Sequence, residues 1–393
     1  MNKLVPIIEA VEIKNNRVKP FAGERHYLAT GDLAGNEVSE VFSVDYKTKP
    51  SRADLLVREG DIILARMQAT NKVLLIDKGT KDFIVSTGFL TLVPREGFDA
   101  GYLTYYFRSG IFQRQKDRYC AGATQKAINN GAFKKLQIPQ YSLAEQKKIT
   151  KILDQADAMS QKRKQSLKLL NEFLDSTFID MFGDPLKNPK KWDLLELNDV
   201  CKEIYRYPTF YGFKYVPEGI PVVKIGNILA NGIVNPDLSN YSFITKEINC
   251  RYPRTILEMS DILMAVRGDG STVKRIGLVN HKNLVGANMS PNLLRFSANK
   301  KVISPFYLYV LVTSGSGQKM LEKYVTQTAK KTITAKDIKQ IKIPVPPLFK
   351  QNRFSEIFEC VHRTKEMMSM SKGAIENQFN ALMQKFFGEA ENV

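Results

Sequence analysis

The sequence predicts a mixed α/β (α+β) fold arranged as a tandem internal repeat, with two α/β domains joined by two long helices that form an antiparallel coiled coil. Three observations predict it. An ordered series of matched segments runs through both halves of the 393-residue chain. Two stretches of about 40 residues lack proline and carry apolar residues at alternating steps of four and three. The remaining sequence holds short β-branched or aromatic runs bounded by turn residues, which is strand patterning.

In chain order, residues 1–142 form the first domain. Residues 61–66, 73–76 and 89–93 read as strands, and residues 100–113 as a helix. Residues 143–183 follow as the first helical spacer. Its seam is Ile149, Leu153, Ala156, Ser160, Arg163, Leu167, Leu170, Leu174, Thr177 and Met181, the a/d spacing of a coiled coil. Residues 184–347 form the second domain, with strands expected at 221–225, 261–266, 276–279 and 293–296 and a helix at 305–323. Residues 348–393 form the second spacer. Its seam of Phe354, Phe358, Val361, Lys365, Met368, Lys372, Ile375, Phe379, Leu382 and Phe386 lies 205 residues after the first. Two matched stripes predict that the helices pack on each other. A closed chain linking two similar domains favours opposite directions. Each helix is expected to stop at a glycine, Gly183 or Gly388.

The repeat is anchored at several points. Leu28-Ala-Thr-Gly-Asp-Leu33 resembles Val223-Lys-Ile-Gly-Asn-Ile228, and Asp61-Ile-Ile-Leu-Ala65 resembles Asp261-Ile-Leu-Met-Ala265. From Lys126 onward the offset is fixed at 205: Ile138-Pro139 matches Ile343-Pro344, Gln146 matches Gln351, and Phe182-Gly183 matches Phe387-Gly388. Small changes of offset before that point read as loop insertions.

Charge follows the same division. The chain carries 58 Lys+Arg against 40 Asp+Glu, net +18. By block this is +6 for residues 1–142 and +1 for 143–183, then +11 for 184–347 and 0 for 348–393. Basic domains alternate with neutral helices, which suits a polyanion touched at two places. A helix of about 40 residues is roughly 60 Å long, under two turns of duplex DNA at roughly 34–36 Å each. The hydrophobic fraction of 43% supports real cores and argues against disorder. The longest apolar run, residues 306–312, is too short to span a bilayer. Cys120, Cys201, Cys250 and Cys360 lie far apart with no C-x-x-C, which argues against a disulfide framework or a zinc site and suggests the cytoplasm.

Catalytic signatures are missing. Gly268-Asp-Gly-Ser-Thr-Val-Lys274 lacks a Walker A ending, no H-E-x-x-H occurs, and His26, His281 and His362 are isolated. Ser314-Gly-Ser-Gly317 reads as a helix-breaking loop. The residues alone therefore point to a non-catalytic protein that binds duplex DNA. A stand-alone duplicated DNA-binding regulator is the main alternative, and a DNA-modifying enzyme or a scaffold without nucleic acid fits less well.

One run is more specific. Leu136-Gln-Ile-Pro-Gln-Tyr-Ser-Leu-Ala-Glu-Gln-Lys-Lys-Ile149, with Leu153-Asp154, Ala156-Asp157, Met181-Phe-Gly-Asp-Pro185, Asn188-Pro189 and Trp192, resembles the specificity subunits of type I restriction–modification systems (HsdS). Val223-Lys-Ile-Gly-Asn-Ile228, Asp261-Ile-Leu-Met-Ala265 and Ile343-Pro-Val-Pro-Pro-Leu348 continue the resemblance across the chain. Departures are Lys350 before Gln351, Gln140-Tyr-Ser142 in place of a second proline, and Ser260 where the family has glycine.

The resemblance implies two target-recognition domains, each reading half of a gapped DNA sequence, with the helices fixing the gap. It further implies docking of two modification (methyltransferase) subunits and association with restriction subunits. The chain itself would need no cofactor; S-adenosylmethionine, ATP and Mg²⁺ would belong to those partners, and no membrane is involved. DNA-reading residues would lie near the strand anchors. In the first domain these are Arg66, Gln68, Lys72, Thr124, Gln125 and Lys126. In the second they are Lys224, Asn227, Arg267, Ser271, Lys274, Arg275, Lys330 and Lys331. Arginine can pair with guanine and Gln or Asn with adenine, whereas lysine mostly meets phosphate. Any one of these cations also serves as an ordinary solvated charge. Tyr211 and Tyr215, flanking Gly212, could stack on a base, though core packing is their commoner use. Arg267→Ala is expected to relax sequence choice, and Lys331→Ala to weaken binding uniformly and flatten its salt dependence. Binding titrations over a salt series with matched and mismatched duplexes check both.

Overall fold

The computed structural model describes residues 3–206, 214–229, 231–266, 275–325 and 333–388, apart from the side chains of Met370 and Lys372. The chain divides into two compact units. One is residues 1–165 with 369–393, and the other is residues 166–368. Each unit therefore combines one domain with half of each long helix.

In the first unit, Ile62–Ala65 is buried at all four positions, as a strand covered on both faces must be. It lies inside an antiparallel sheet ordered Val11–Lys14, Phe89–Pro94, Ile62–Ala65, Val73–Leu75. A second sheet holds Phe42–Val44, Arg25–Leu28, Ile84–Ser86 and Ala53–Leu56, with its middle pair parallel. Leu4–Pro6 pairs with Gln137–Pro139 just before the first long helix.

The second unit repeats the plan. Its main sheet is ordered Cys201–Arg206, Leu293–Ala298, Ile262–Ala265, Ile276–Leu278, and a smaller one holds Ser242–Ile244, Ile220–Val223 and Asn288–Met289. Asp193–Glu196 pairs with Lys342–Val345. Leu4 and Leu194 face Pro139 and Pro344 respectively, so the duplication begins earlier than its sequence anchors reveal.

The helix expected over residues 100–113 is two helices, Ala100–Arg108 and Gly110–Arg118. Ser109 is extended between them, at φ −68° and ψ 145°; its Oγ donates to the Tyr106 carbonyl at 2.6 Å and accepts from the Phe112 N–H at 3.1 Å. One hydroxyl thus ends a helix and caps the next. The second copy repeats this at Ser314, between Pro305–Thr313 and Gly315–Glu322. The Ser314-Gly-Ser-Gly317 stretch is therefore a cap and first helical turn rather than a loop. A Cβ at Gly317 would fall 1.8 Å from the Leu311 carbonyl oxygen, so glycine is required there by space. The expected strand over 221–225 ends at Val223, and Ile225–Asn227 is a 3-10 turn.

The long helices run Leu143–Phe182 and Leu348–Phe387, 40 residues each. The first ends at Gly183, in the left-handed region at φ 79°. Within the second unit, the Phe178 and Phe182 rings each sit 5.5 Å from Phe354, while Lys365 Nζ donates to Asn171 Oδ1 at 2.6 Å. Contacts that advance on one helix while receding on the other mean opposite directions. In the first unit, Ile149 and Leu153 share a core with Met383 and Phe387, which fits the same sense. Ile149, Leu153, Leu174, Phe354, Phe358 and Val361 are buried; Ala156, Leu167, Leu170, Met368, Ile375, Phe379 and Leu382 are half-buried. Phe178, Phe182, Met383 and Phe387 are also buried, and the a/d spacing missed them because they flank the seam and wedge against the domains. No helix of the described residues is long and apolar enough to cross a membrane.

Gln146 and Gln351 are both fully buried and make the same three hydrogen bonds. Gln146 Oε1 accepts from the Asp99 N–H at 2.8 Å, and its Nε2 donates to the Gly97 and Tyr141 carbonyls. Gln351 does the same with the Ser304 N–H and the Val302 and Pro346 carbonyls. Gln146→Ala and Gln351→Ala each strand three backbone groups in an apolar setting and are expected to cost about 2–4 kcal/mol. Urea unfolding followed by peptide-resolved hydrogen exchange should localise each loss to its own unit.

Candidate functional site

In the first unit, the segment after Ile62–Ala65 is zipped to the segment after Gly110–Arg118. The Gln68 N–H donates to the Lys126 carbonyl at 2.9 Å, and the Ile128 N–H to the Arg66 carbonyl at 2.9 Å; Met67 and Ala127 form a bridge. Gln125 Nε2 lies 2.9 Å from Met67 Sδ. The fold therefore brings Arg66, Gln68, Thr124, Gln125 and Lys126 together, although some 50 residues separate the two groups. Gln68, Thr124, Gln125 and Lys126 are exposed on this ridge.

Arg66 and Lys72 are half-buried and engaged internally. The Arg66 guanidinium donates to the Phe89 carbonyl at 3.0 Å and to Asn130 Oδ1 at 2.8 Å. Lys72 Nζ donates to the Thr30 carbonyl at 2.6 Å. Both hold the ridge against the sheets.

Lys116, which the sequence reading did not single out, lies beneath the ridge with no exposure. Its Nζ donates to the Met67 and Thr70 carbonyls at 3.0 and 2.7 Å. Burial pushes its pKa below the ordinary lysine value, opposed by Asp117. A lysine in an amphipathic helix gives no sequence signal that it points inward.

In the second unit, Lys224 Nζ donates to Ser242 Oγ at 2.7 Å and stands 4.1 Å from the Tyr215 ring centroid. Asn227 is buried, and its Oδ1 accepts from the Lys224 N–H at 2.8 Å, fixing the turn that carries Lys224. Arg275 is exposed beside Ile276–Leu278, on the rim of a cavity of about 360 Å³. Arg267, Ser271, Lys274, Lys330 and Lys331 lie outside the described residues, as do Tyr211 and Gly212.

Arg295, in the central strand, is also buried. Its Nε donates to Asp261 Oδ2 at 2.6 Å, and Nη1 to the Arg254 carbonyl at 3.1 Å. His362 on the second long helix meets Asn280 of the domain, with Nε2 at 3.1 Å from Asn280 Nδ2, and its Nδ1 is 3.4 Å from Glu366. No group of His, Cys, Asp and Glu among the described residues is arranged to hold a metal ion.

Two copies of one α/β unit, each clamped to long antiparallel helices, define a duplicated two-domain architecture. The chain belongs to the type I restriction modification DNA specificity domain family, whose model matches residues 4–170 and again 189–377. It is 23% identical over 298 residues to the type I restriction enzyme EcoBI specificity subunit of Escherichia coli, covering 68% of this chain and 61% of that protein. It is 23% identical over 372 residues to the MjaVIII specificity subunit of Methanocaldococcus jannaschii, covering 91% and 84%. The chain thus spans about six-tenths of the first relative and more of the second. In fold it resembles the type I restriction–modification S subunit of M. genitalium, with a TM-score of 0.60, 14% identity and coverage of 98% and 96%. This membership favours the specificity-subunit reading over a stand-alone regulator.

Burial pulls the His362 pKa below its ordinary value, opposed by Glu366. The folded chain therefore holds the ring neutral where the unfolded chain already binds a proton, so stability is present above about pH 6.5 and falls on acidification through the folded value. His362→Leu is expected to shrink the loss of stability between pH 8 and pH 5. Urea midpoints at both pH values for the two proteins check this.

Proposed function

We propose that this chain is the sequence-specificity subunit of a type I restriction–modification complex, reading a split duplex DNA target with one recognition domain on each half. The carrying observation is that the two units share a locked core but differ in their loops, while the net charge sits in the domains, +6 and +11, and not in the helices. A long polyanion touched at two unlike places fits that division. The chain contributes specificity and scaffolding. Catalysis belongs to two modification subunits carrying S-adenosylmethionine and to restriction subunits using ATP and Mg²⁺. The complex works in the cytoplasm, where its DNA lies.

In this reading, exposed Gln68, Thr124, Gln125 and Lys126 meet DNA from the first domain, with Arg66 and Lys72 setting the backbone that carries them. From the second, Lys224, Arg275, Arg267, Ser271, Lys274, Lys330 and Lys331 meet DNA, and Asn227 orients the Lys224 turn. A base-resolution map of adenine methylation, with and without this gene, is expected to lose one gapped motif. Exchange of residues 1–142 for those of a relative with a different target should change only one half of it. An unchanged map without the gene contradicts the role.

A further inference from the structure

We propose that Lys116 is a positioning residue for sequence choice at one half of the target. Its ammonium, together with the Asp117 carboxylate, sets the conformation of the loop over residues 66–72 through which the first domain meets DNA. The inference rests on the proposed DNA-reading role and names a determinant that does not itself touch DNA.

Two of the three ammonium donors are spent on carbonyls of this loop, at Met67 and Thr70. The next residue, Asp117, accepts from the Ala69 N–H with both carboxylate oxygens at 3.1 Å. Ala69 is at φ 53°, in the left-handed region that a Cβ disfavours, so the bend needs holding. Asn71 Nδ2 reaches the Arg108 carbonyl at 2.9 Å and fixes the far side. Because Gln68 and Met67 carry the bridge to Lys126 and Ala127, the same grip fixes the exposed Thr124, Gln125 and Lys126.

The chain contains its own control. Lys116 sits seven residues after the Ser109 cap, and Leu321 sits seven residues after the Ser314 cap; both are buried. The repeated core thus accepts an aliphatic side chain at this position, and the second unit uses one. Burying an ammonium costs free energy that the fold does not require. What the first unit has in return is a donor for two loop carbonyls, which leucine cannot supply.

The test uses the full chain in its native complex, carrying Lys116→Leu or Asp117→Ala. The first has an internal precedent for folding, and Asp117 is partly exposed, so its loss spares the core. The methylation map is expected to keep the second half-site unchanged, while discrimination at one or more base pairs of the first falls about tenfold or more. Hydrogen exchange over residues 66–72 should rise in both variants. An unchanged motif in both variants overturns the proposal, and so does a uniform loss of methylation without a change of motif, because that marks a merely structural lysine. Unchanged exchange over the loop overturns it independently of any DNA readout. A wild-type chain that specifies no motif, combined with raised loop exchange in the variants, would instead defeat the DNA-reading role and keep Lys116 as the organiser of the loop.

Discussion

Each unit depends on a glutamine that has no water to fall back on. Gln146 and Gln351 stand one turn inside the long helices and carry amide groups that need partners wherever they are buried. Each finds them on two separate chain segments, the linker that enters the helix and the loop before the domain's helix pair. Helix direction, domain and linker are therefore fixed by one side chain. Neighbouring groups reinforce it: the Tyr102 and Tyr307 hydroxyls donate to the Pro139 and Pro344 carbonyls, both at 2.7 Å. Phe182 and Phe387 then pack against these tyrosines. Since a polar side chain this deep tolerates little displacement, the 205-residue offset is locked from the start of the helix pair to the end of each long helix.

Away from the clamp, the two copies solve equal problems differently. Asp61 and Asp261 each begin a central strand, and each accepts a backbone N–H three residues before it. Asp261 is answered by buried Arg295, whereas the corresponding place opposite Ile63 holds Thr91. Burial raises the pKa of both carboxyl groups; Arg58 and Lys14 oppose the rise in the first unit, and Arg295 opposes it in the second. The turn before these strands is left-handed in both copies, at φ 89° for Gly60 and 72° for Ser260. The serine accepts a strain that glycine avoids.

Much of this was legible in the sequence because periodicity and repetition report packing directly. Ile149, Leu153, Leu174, Phe354, Phe358 and Val361 are buried, and strands such as Ile62–Ala65 and Ile262–Ala265 fall where apolar runs indicate them. What was not legible depends on contacts distant in sequence. The Ser109-Gly110 pair signals a break, but not that one hydroxyl ends one helix and caps the next. Nothing near Lys116 marks it as buried, because its partners lie nearly 50 residues earlier. The exposed ridge was half legible. Gln68 and Gln125 were both expected, but their adjacency comes from a backbone bridge that side-chain patterns do not encode.

The duplicated chain separates what must stay from what can change. Positions that answer to the helix clamp recur in kind: glutamine with glutamine, tyrosine with tyrosine, and serine cap with serine cap. Lys116 against Leu321 differs in kind, although both are buried seven residues after the serine cap of corresponding helices. A core side chain there can be exchanged for one that grips a loop without moving the helix, because the cap and the glutamine hold the helix independently. Under the proposed reading, that is how two unlike half-sites can be read by one architecture. Change accumulates in the loops and in the few buried residues that shape them, while the helix pair and its clamps stay the same.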